Sequence, residues 1–131
     1  LNLGQDLFCQ FGNVRLQVLA NGQFWVDGSF VGTFTPDGGF YNVDGVEIGR
    51  LHPNGRMTYA GTMQDAGIDR GQIISPEGTI AFVDAGGYFR VVGAQVPPAA
   101  VMGMSGAHVR TFLFAFSMFA ALLDTAQRMG Y

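Results

Sequence analysis

The sequence predicts a mainly β fold of antiparallel, glycine-rich hairpins, arranged as a small barrel or a two-layer sheet and followed by one long apolar helix. Three observations support this prediction. Glycine accounts for 20 of the 131 residues, turn signals recur through residues 1–93, and an uncharged apolar run lies near the C-terminus. We therefore divide the chain into a β-hairpin repeat domain (1–93), a Pro/Gly/Ala linker (94–104) and a C-terminal helix for docking or oligomerisation (105–131).

Glycine-containing turns punctuate the β region, and three of them share one order of residues. Proline presets φ at the second turn position, an Asp, Asn or Glu follows, and glycine then takes the left-handed conformation. This order is typical of a type I turn closed by a glycine bulge, which is a common hairpin loop. The turns lie at Ala20-Asn21-Gly22, Thr35-Pro36-Asp37-Gly38, His52-Pro53-Asn54-Gly55 and Ser75-Pro76-Glu77-Gly78.

The runs between these turns predict an internal repeat of two short strands per unit. Each turn is followed by a short apolar or aromatic run, a second break and a closing run. The turns are spaced by 16, 17 and 23 residues, so we expect an insertion in the third unit, within residues 63–70. Gly32, Gly49 and Gly71 fall at the same place in three closing runs, which indicates bulges or close packing. An ordinary meander with similar turns is the alternative.

Residues 53–73, PNGRMTYAGTMQDAGIDRGQI, resemble the glycine-rich membrane-occupation-and-recognition repeat over about a sixth of the chain. The positions that carry the resemblance are Tyr59, Gly61, Gly67 and Gly71. The segment has one additional residue between the second and third of these positions. It also has Met63 where an aromatic residue is usual and Ile73 where a closing glycine is usual. Glycine-rich hairpins of other origin share this pattern, so we do not assign the chain to that family.

Composition and charge exclude several classes of function. The chain carries seven arginines and no lysine against ten acidic residues, for a formal net charge of -3. It has no basic patch that could bind nucleic acid, so we expect no nucleic-acid partner. Cys9 is the single cysteine, and it can form neither an internal disulfide nor a multi-thiolate metal site.

Residues that could carry catalysis or bind a ligand fall mostly in turn contexts. Asp27, Asp37 and Asp44 each stand beside glycine, where a carboxylate bonds its own backbone. The loops lack the spacing of a calcium-binding loop or of a phosphate-binding loop, and His52 and His108 have no third zinc ligand in view. We therefore predict no catalytic, cofactor-binding or metal-ligating residue and no enzymatic activity. A small hydrolase built on turn carboxylates ranks third, after the two functional hypotheses given below.

The C-terminal segment predicts one helix from about Gly106 to Met129, with Ser105 as N-cap and Gly130 as the terminating residue. Its run FLFAFSMFAALL, residues 112–123, carries no charge, so apolar side chains cover well over half of the helix circumference. Such a helix is expected to be surrounded by its own β domain, by a protein partner or by a bilayer. A spanning helix needs about 20 apolar residues, so membrane contact is the less favoured alternative.

We predict that this helix docks on a protein partner or on a second copy of the chain. The predicted interface consists of Phe112, Leu113, Phe114, Phe116, Met118, Phe119, Leu122 and Leu123. The first functional hypothesis is a non-enzymatic structural or assembly subunit of a larger complex or homo-oligomer, with the β domain as a rigid module. On this hypothesis, removing residues 105–131 leaves a soluble but unassembled β domain.

The second hypothesis is a secreted or surface module that binds a ligand, with carbohydrate as the expected class, through strand aromatics. Aromatic rings that share one face can stack on sugars. Cross-strand packing is the alternative explanation for such rings. The candidates for ligand stacking are Trp25, Tyr41, Tyr59 and Tyr88.

Overall fold

The computed structural model describes residues 1–128 as a closed barrel of twelve antiparallel strands with one C-terminal helix. Each strand pairs with the next along the chain, and the last strand pairs with the first to close the barrel. The predicted hairpin fold with a terminal helix is confirmed, and of the two predicted arrangements the chain adopts the barrel. The strands are β1 Leu7–Phe11, β2 Val14–Val18, β3 Gln23–Val26, β4 Ser29–Phe34, β5 Gly39–Tyr41, β6 Glu47–Leu51, β7 Arg56–Tyr59, β8 Thr62–Asp69, β9 Gln72–Ser75, β10 Gly78–Val83, β11 Tyr88–Val91 and β12 Ala99–Met102.

Glycines with positive φ recur at both ends of the barrel, at intervals of 15 to 17 residues. Consecutive turns of an antiparallel barrel alternate between its two ends, so these glycines form two series. We name the end at which the helix begins the proximal end and the other the distal end. The proximal series is Gly22, Gly38, Gly55, Gly71, Gly87 and Gly103. The distal series is Gly12, Gly28, Gly45, Gly61, Gly78 and Gly93.

The insertion predicted in the third unit is absent, because Gly78 belongs to the distal series. Because their turn sequences are similar, Gly55 and Gly78 look equivalent in the sequence. In the barrel the counterpart of Gly55 is Gly71, 16 residues further on. Gly71 is therefore a turn residue with a φ of 76°. It is not equivalent to Gly32 and Gly49, which lie inside β4 and β6.

The segment 94–104 contributes a strand to the barrel and is more than a linker. Strand pairing is interrupted before Pro97-Pro98, as expected for residues without a backbone N–H. It resumes immediately afterwards at Ala99, where β12 begins. Because β12 pairs with both β11 and β1, the β region extends to Met102, past the boundary predicted at residue 93.

The C-terminal helix begins with a 3-10 turn, Gly106–His108, and continues as α1, Val109–Arg128. Ser105 precedes this turn as expected, but its hydroxyl makes no bond to a backbone N–H. The hydroxyl oxygen instead lies 2.8 Å from Nδ1 of His108. The predicted helix end at Met129 and Gly130 lies outside the described residues.

The first half of α1 fills the interior of the barrel. Eight strands make a barrel that side chains alone can fill, so twelve strands leave room for a further element. Phe112 packs against Phe89 of β11 with ring centroids 5.0 Å apart, and Phe114 packs against Phe34 of β4 at 5.4 Å. These two helix residues point in opposite directions, and β4 and β11 lie on opposite walls. The barrel therefore encloses the helix at this level.

Hydrogen bonds fasten the start of α1 to the proximal end. The fully buried Thr111 donates its hydroxyl to the carbonyl oxygen of Asn2 at 2.9 Å and accepts the Asn2 backbone N–H at 3.2 Å. The Arg110 guanidinium donates to the carbonyl oxygen of His52 at 2.8 Å. A 20-residue helix is about 30 Å long, whereas most of the strands have four to six residues and are about 13–20 Å long. The helix therefore extends beyond the distal end of the barrel.

Candidate functional site

The helix divides into a first half that the barrel encloses and a second half that emerges at the distal end. Residues 111–115 and Met118 are buried, and no described helix residue beyond Met118 is. The exit is marked by Tyr59, at the end of β7, whose hydroxyl lies 3.3 Å from Oγ1 of Thr125. Nearby, Leu123 is 47% exposed.

The eight predicted interface residues are distributed over both halves of the helix. The four that the barrel buries are Phe112, Leu113, Phe114 and Met118. The four that remain partly or largely accessible are Phe116, Phe119, Leu122 and Leu123. Because the chain covers the first set itself, the apolar side chains of this list that stay accessible on α1 are confined to the second set.

An apolar cleft of about 260 Å³ lies between the emerging helix and strands β7–β10. Its strand wall is formed by Met57, Ala66, Ile73 and Ile80, and its helix wall by Phe116, Met118, Ala120 and Ala121. The polar lining residues are Gln64 and Ser117, and the Ser117 hydroxyl already donates to the carbonyl oxygen of Leu113 at 2.8 Å. The cleft is therefore suited to apolar side chains.

A second, more polar cleft of about 370 Å³ continues the first at the distal edge of the barrel. The two clefts share Gln64 and Ala121. On the helix side of the second cleft, Asp124 and Arg128 form an ion pair at 3.1 Å. Both side chains are largely exposed, so this pair contributes little to stability. An apolar floor with a charged edge is the usual anatomy of a protein interface.

Exposed apolar side chains are concentrated in the distal half of the barrel. Among the residues that the structure describes, nine large apolar side chains are exposed, and only Tyr88 and Met102 of these lie at the proximal end. We name the other seven the distal rim: Val43, Val46, Met63, Ile74, Ile80, Val92 and Leu123. Scattered exposed apolar residues are ordinary on proteins, whereas these are collected in one half of the barrel.

The four aromatic residues predicted to stack on a ligand do not share one face. Trp25 and Tyr41 lie on the outer face of β3 and β5, which are two strands, or about 10 Å, apart. Tyr59 faces the interior, on the same side of β7 as the buried Met57. Tyr88 lies on β11, four strands from β3 in the other direction. The structure brings only the first two together.

Two carboxylates with perturbed pKa values lie in proximal turns. The Arg90 side chain and the backbone N–H of Tyr88 lower the pKa of Asp84. The Thr35 hydroxyl and the backbone N–H of Gly39 do the same for the pKa of Asp37. These contacts stabilise the turns themselves, which agrees with the structural role that the sequence indicates for turn carboxylates.

Within the described residues, Cys9 and the potential metal ligands do not form a site. Cys9 lies in the core, and burial raises the pKa of its thiol to about 11. A thiol with so high a pKa stays protonated at neutral pH and is a poor nucleophile. Across residues 1–128, no three side chains of His, Cys, Asp or Glu converge in a way that could hold a metal ion.

A barrel filled by its own C-terminal helix invites comparison with known proteins. No protein-family model, curated protein or solved structure matches this chain. The segment Gly106–Arg128 is long and apolar enough to cross a membrane, with a mean hydropathy of 1.5 over 18 residues, but 33% of that stretch is buried in the barrel. Core helices satisfy the same criterion, so length and composition give only weak support to a membrane span.

Sequence reasoning missed the strand and turn residues of the distal rim. Val43 and Val46 flank Asp44-Gly45 in the turn between β5 and β6, and Met63 follows the next distal turn. Apolar residues beside turn glycines are the signal that could have found them, because turns lie on the surface. The convergence of this rim with the emerging helix depends on barrel closure, which the sequence does not display.

Proposed function

We propose that this chain is a non-enzymatic structural or assembly subunit of a larger complex and that it docks through the distal end of its barrel. The observation that carries the proposal is the emerging half of α1, where Phe116, Ala120 and Ala121 line the apolar cleft and Leu123 is exposed at the distal rim. Exposed apolar surface collected in one region is characteristic of protein interfaces.

The proposed docking surface is narrower than the interface predicted from the sequence. Phe112 and Phe114 stabilise the barrel interior, so substituting them tests folding and not docking. Leu123 and Met63 are better probes, because each is 47% exposed and lies at the distal end. Replacing either residue removes apolar surface with little effect on the core.

Photo-crosslinking in the cells that produce the protein tests this proposal. A photoreactive amino acid at position 123 probes the distal end, and the same amino acid in place of Met102, which is 63% exposed at the proximal end, is the matched control. We expect one discrete adduct from position 123 and none from position 102. An adduct of twice the chain mass would identify a second copy as the partner. Absence of an adduct from position 123, or equal adducts from both positions, would overturn the proposal.

Carbohydrate binding by a secreted or surface module is the second candidate. It is favoured by one observation, the common outer face of Trp25 and Tyr41. A glycan array probed with the intact chain, with Trp25→Ala and Tyr41→Ala, and with Tyr88→Ala as control tests it. We expect the first two variants to lose binding and the control to retain it. No binding, or binding that ignores Trp25 and Tyr41, removes this candidate.

A further inference from the structure

We infer that the distal end binds a basic amphipathic segment of a partner protein. This inference rests on the proposed function and specifies the chemical class of the partner. Two properties of the distal end support it: the apolar cleft beside α1, and the sign of the charges that surround the distal rim. An amphipathic segment places apolar residues in such a groove and leaves its charged face toward the groove's edges.

The charges that are not engaged in ion pairs differ between the two ends of the barrel. Within the described residues, ion pairs join Arg50 to Asp37 and Glu47, Arg90 to Asp84, and Arg128 to Asp124. The charges that remain in the distal half are Asp27, Asp44, Asp65, Glu77 and Arg15. Those that remain in the proximal half are Asp6, Asp69, Arg56, Arg70 and Arg110. Four acidic groups against one arginine therefore surround the distal rim, and the proximal half has a small excess of arginine.

This charge distribution favours one of three possible occupants of the apolar surface, which are a second copy of the chain, a bilayer and a segment of a partner protein. Two copies of the chain that met at their distal ends would bring two acidic surfaces together, which like-charge repulsion disfavours. An anionic bilayer surface is disfavoured for the same reason. A segment with apolar residues on one face and Lys or Arg on the other can pack its apolar face in the cleft and pair its cations with the carboxylates.

Peptide binding measured by fluorescence anisotropy tests the inference. The probe is a labelled 18-residue amphipathic helical peptide of leucine and lysine. One control peptide has glutamate in place of lysine, and another has the same leucine and lysine residues in a scrambled, non-amphipathic order. We expect the amphipathic basic peptide to bind at least tenfold more tightly than either control, and its affinity to fall as salt screens the exposed carboxylates.

Matched variants locate the binding site on the barrel. The distal variants are Ile80→Ser, which removes exposed apolar surface from the cleft, and the double variant Asp44→Asn/Asp65→Asn, which removes charge. The proximal controls are Met102→Ser and the double variant Asp6→Asn/Asp69→Asn. We expect the distal charge variant to weaken peptide binding by about fivefold at low salt, in the range for two exposed ion pairs. The distal apolar variant should also weaken it, and both proximal controls should bind as the unaltered chain does.

Several results would overturn the inference. These are equal binding of the basic and acidic peptides, equal binding of the scrambled peptide, or equal effects of distal and proximal variants. Self-association of the intact chain through Leu123, seen by sedimentation, would assign the surface to a second copy. Tighter binding to vesicles of neutral and anionic phospholipid than to the peptide would assign it to a bilayer. If one of these results is obtained while the crosslink at position 123 persists, only the inference of a basic partner is wrong. If that crosslink is lost, the proposed function itself is wrong.

Discussion

The thioether sulfur of Met118 occupies the place at which a side chain on Gly49 would begin. Gly49 lies in β6 and faces the barrel interior, and a β-carbon built on it would overlap Sδ of Met118. The neighbouring Cε atom would lie 3.5 Å from that β-carbon. The absence of a side chain at Gly49 therefore lets α1 approach the wall of the barrel closely.

This contact predicts that Gly49→Ala and Met118→Ala are coupled. Gly49→Ala should destabilise the fold by about 1–3 kcal/mol through overpacking. Met118→Ala should cost about 2–5 kcal/mol through loss of buried surface. The double variant should cost less than the sum, because the methyl group added at Gly49 enters space that the shortened Met118 vacates. Urea unfolding of all four proteins measures the coupling free energy, and additive costs would contradict the contact.

Two turn glycines, one from each series, predict different sensitivities to substitution. Gly55 has a φ of 90°, and a β-carbon there would also overlap the carbonyl oxygen of Ile68. Gly61 has a φ of 79° with open space around it. Gly61→Ala should cost about 1–2 kcal/mol from the left-handed backbone alone. Gly55→Ala should cost more, because backbone atoms must move. Equal losses of stability in thermal or urea unfolding would contradict this assignment.

The ion pair between Asp84 and Arg90 predicts a dependence of stability on pH. Nε of Arg90 lies 2.7 Å from Oδ2 of Asp84 and lowers the pKa of that carboxyl in the folded state. The stabilising contribution is therefore present above the pKa of Asp84 in the unfolded chain and is lost as the pH falls through its folded pKa. Arg90→Gln should lower the urea midpoint at pH 7 and have little effect near pH 2. Arg56→Gln, at an arginine without an ion pair among the described residues, is the control and should not show this difference.

Two truncations separate the structural and docking roles of α1. A chain of residues 1–121 keeps Phe112, Phe114 and Met118 in the barrel and should unfold cooperatively. A chain of residues 1–104 loses all three, and at about 3–5 kcal/mol for each buried Phe this loss approaches the whole stability of a small domain. This expectation replaces the soluble β domain predicted from the sequence for removal of 105–131. Near-ultraviolet circular dichroism during denaturation distinguishes the two truncated chains, because only the 1–121 chain should show a cooperative transition. Cooperative unfolding of the 1–104 chain would show that the barrel does not need the helix as part of its core.

The hairpin architecture could be predicted from the sequence because turn chemistry is local. A proline followed by an Asx or Glu residue and then glycine fixes a chain reversal wherever it occurs. The period was misread at Gly78 for the same reason. The sequence Ser75-Pro76-Glu77-Gly78 resembles the proximal turns, yet it closes a distal hairpin. Only the pairing of strands assigns a turn to one end of a barrel.

The placement of the helix could be predicted only in part. Its uncharged circumference indicated that it must be surrounded, with enclosure by its own β domain as one of the alternatives, and the barrel encloses only its first half. Whether one chain can cover such a helix depends on the width of the barrel, and therefore on the pairing of β12 with β1. That pairing joins residues more than 90 positions apart and leaves no local signature. The distal rim depends on the same closure.

Amide hydrogen exchange along α1 tests the central claim most directly, because one helix is assigned two roles. In the isolated chain we expect slow exchange for residues 111–118 and fast exchange for residues 120–128. On addition of the leucine–lysine peptide, protection should rise in the second segment and at Met63, and should not change at Met102. Uniform protection along the whole helix, or peptide-induced protection at the proximal end, would contradict the division of α1 into a core half and a docking half.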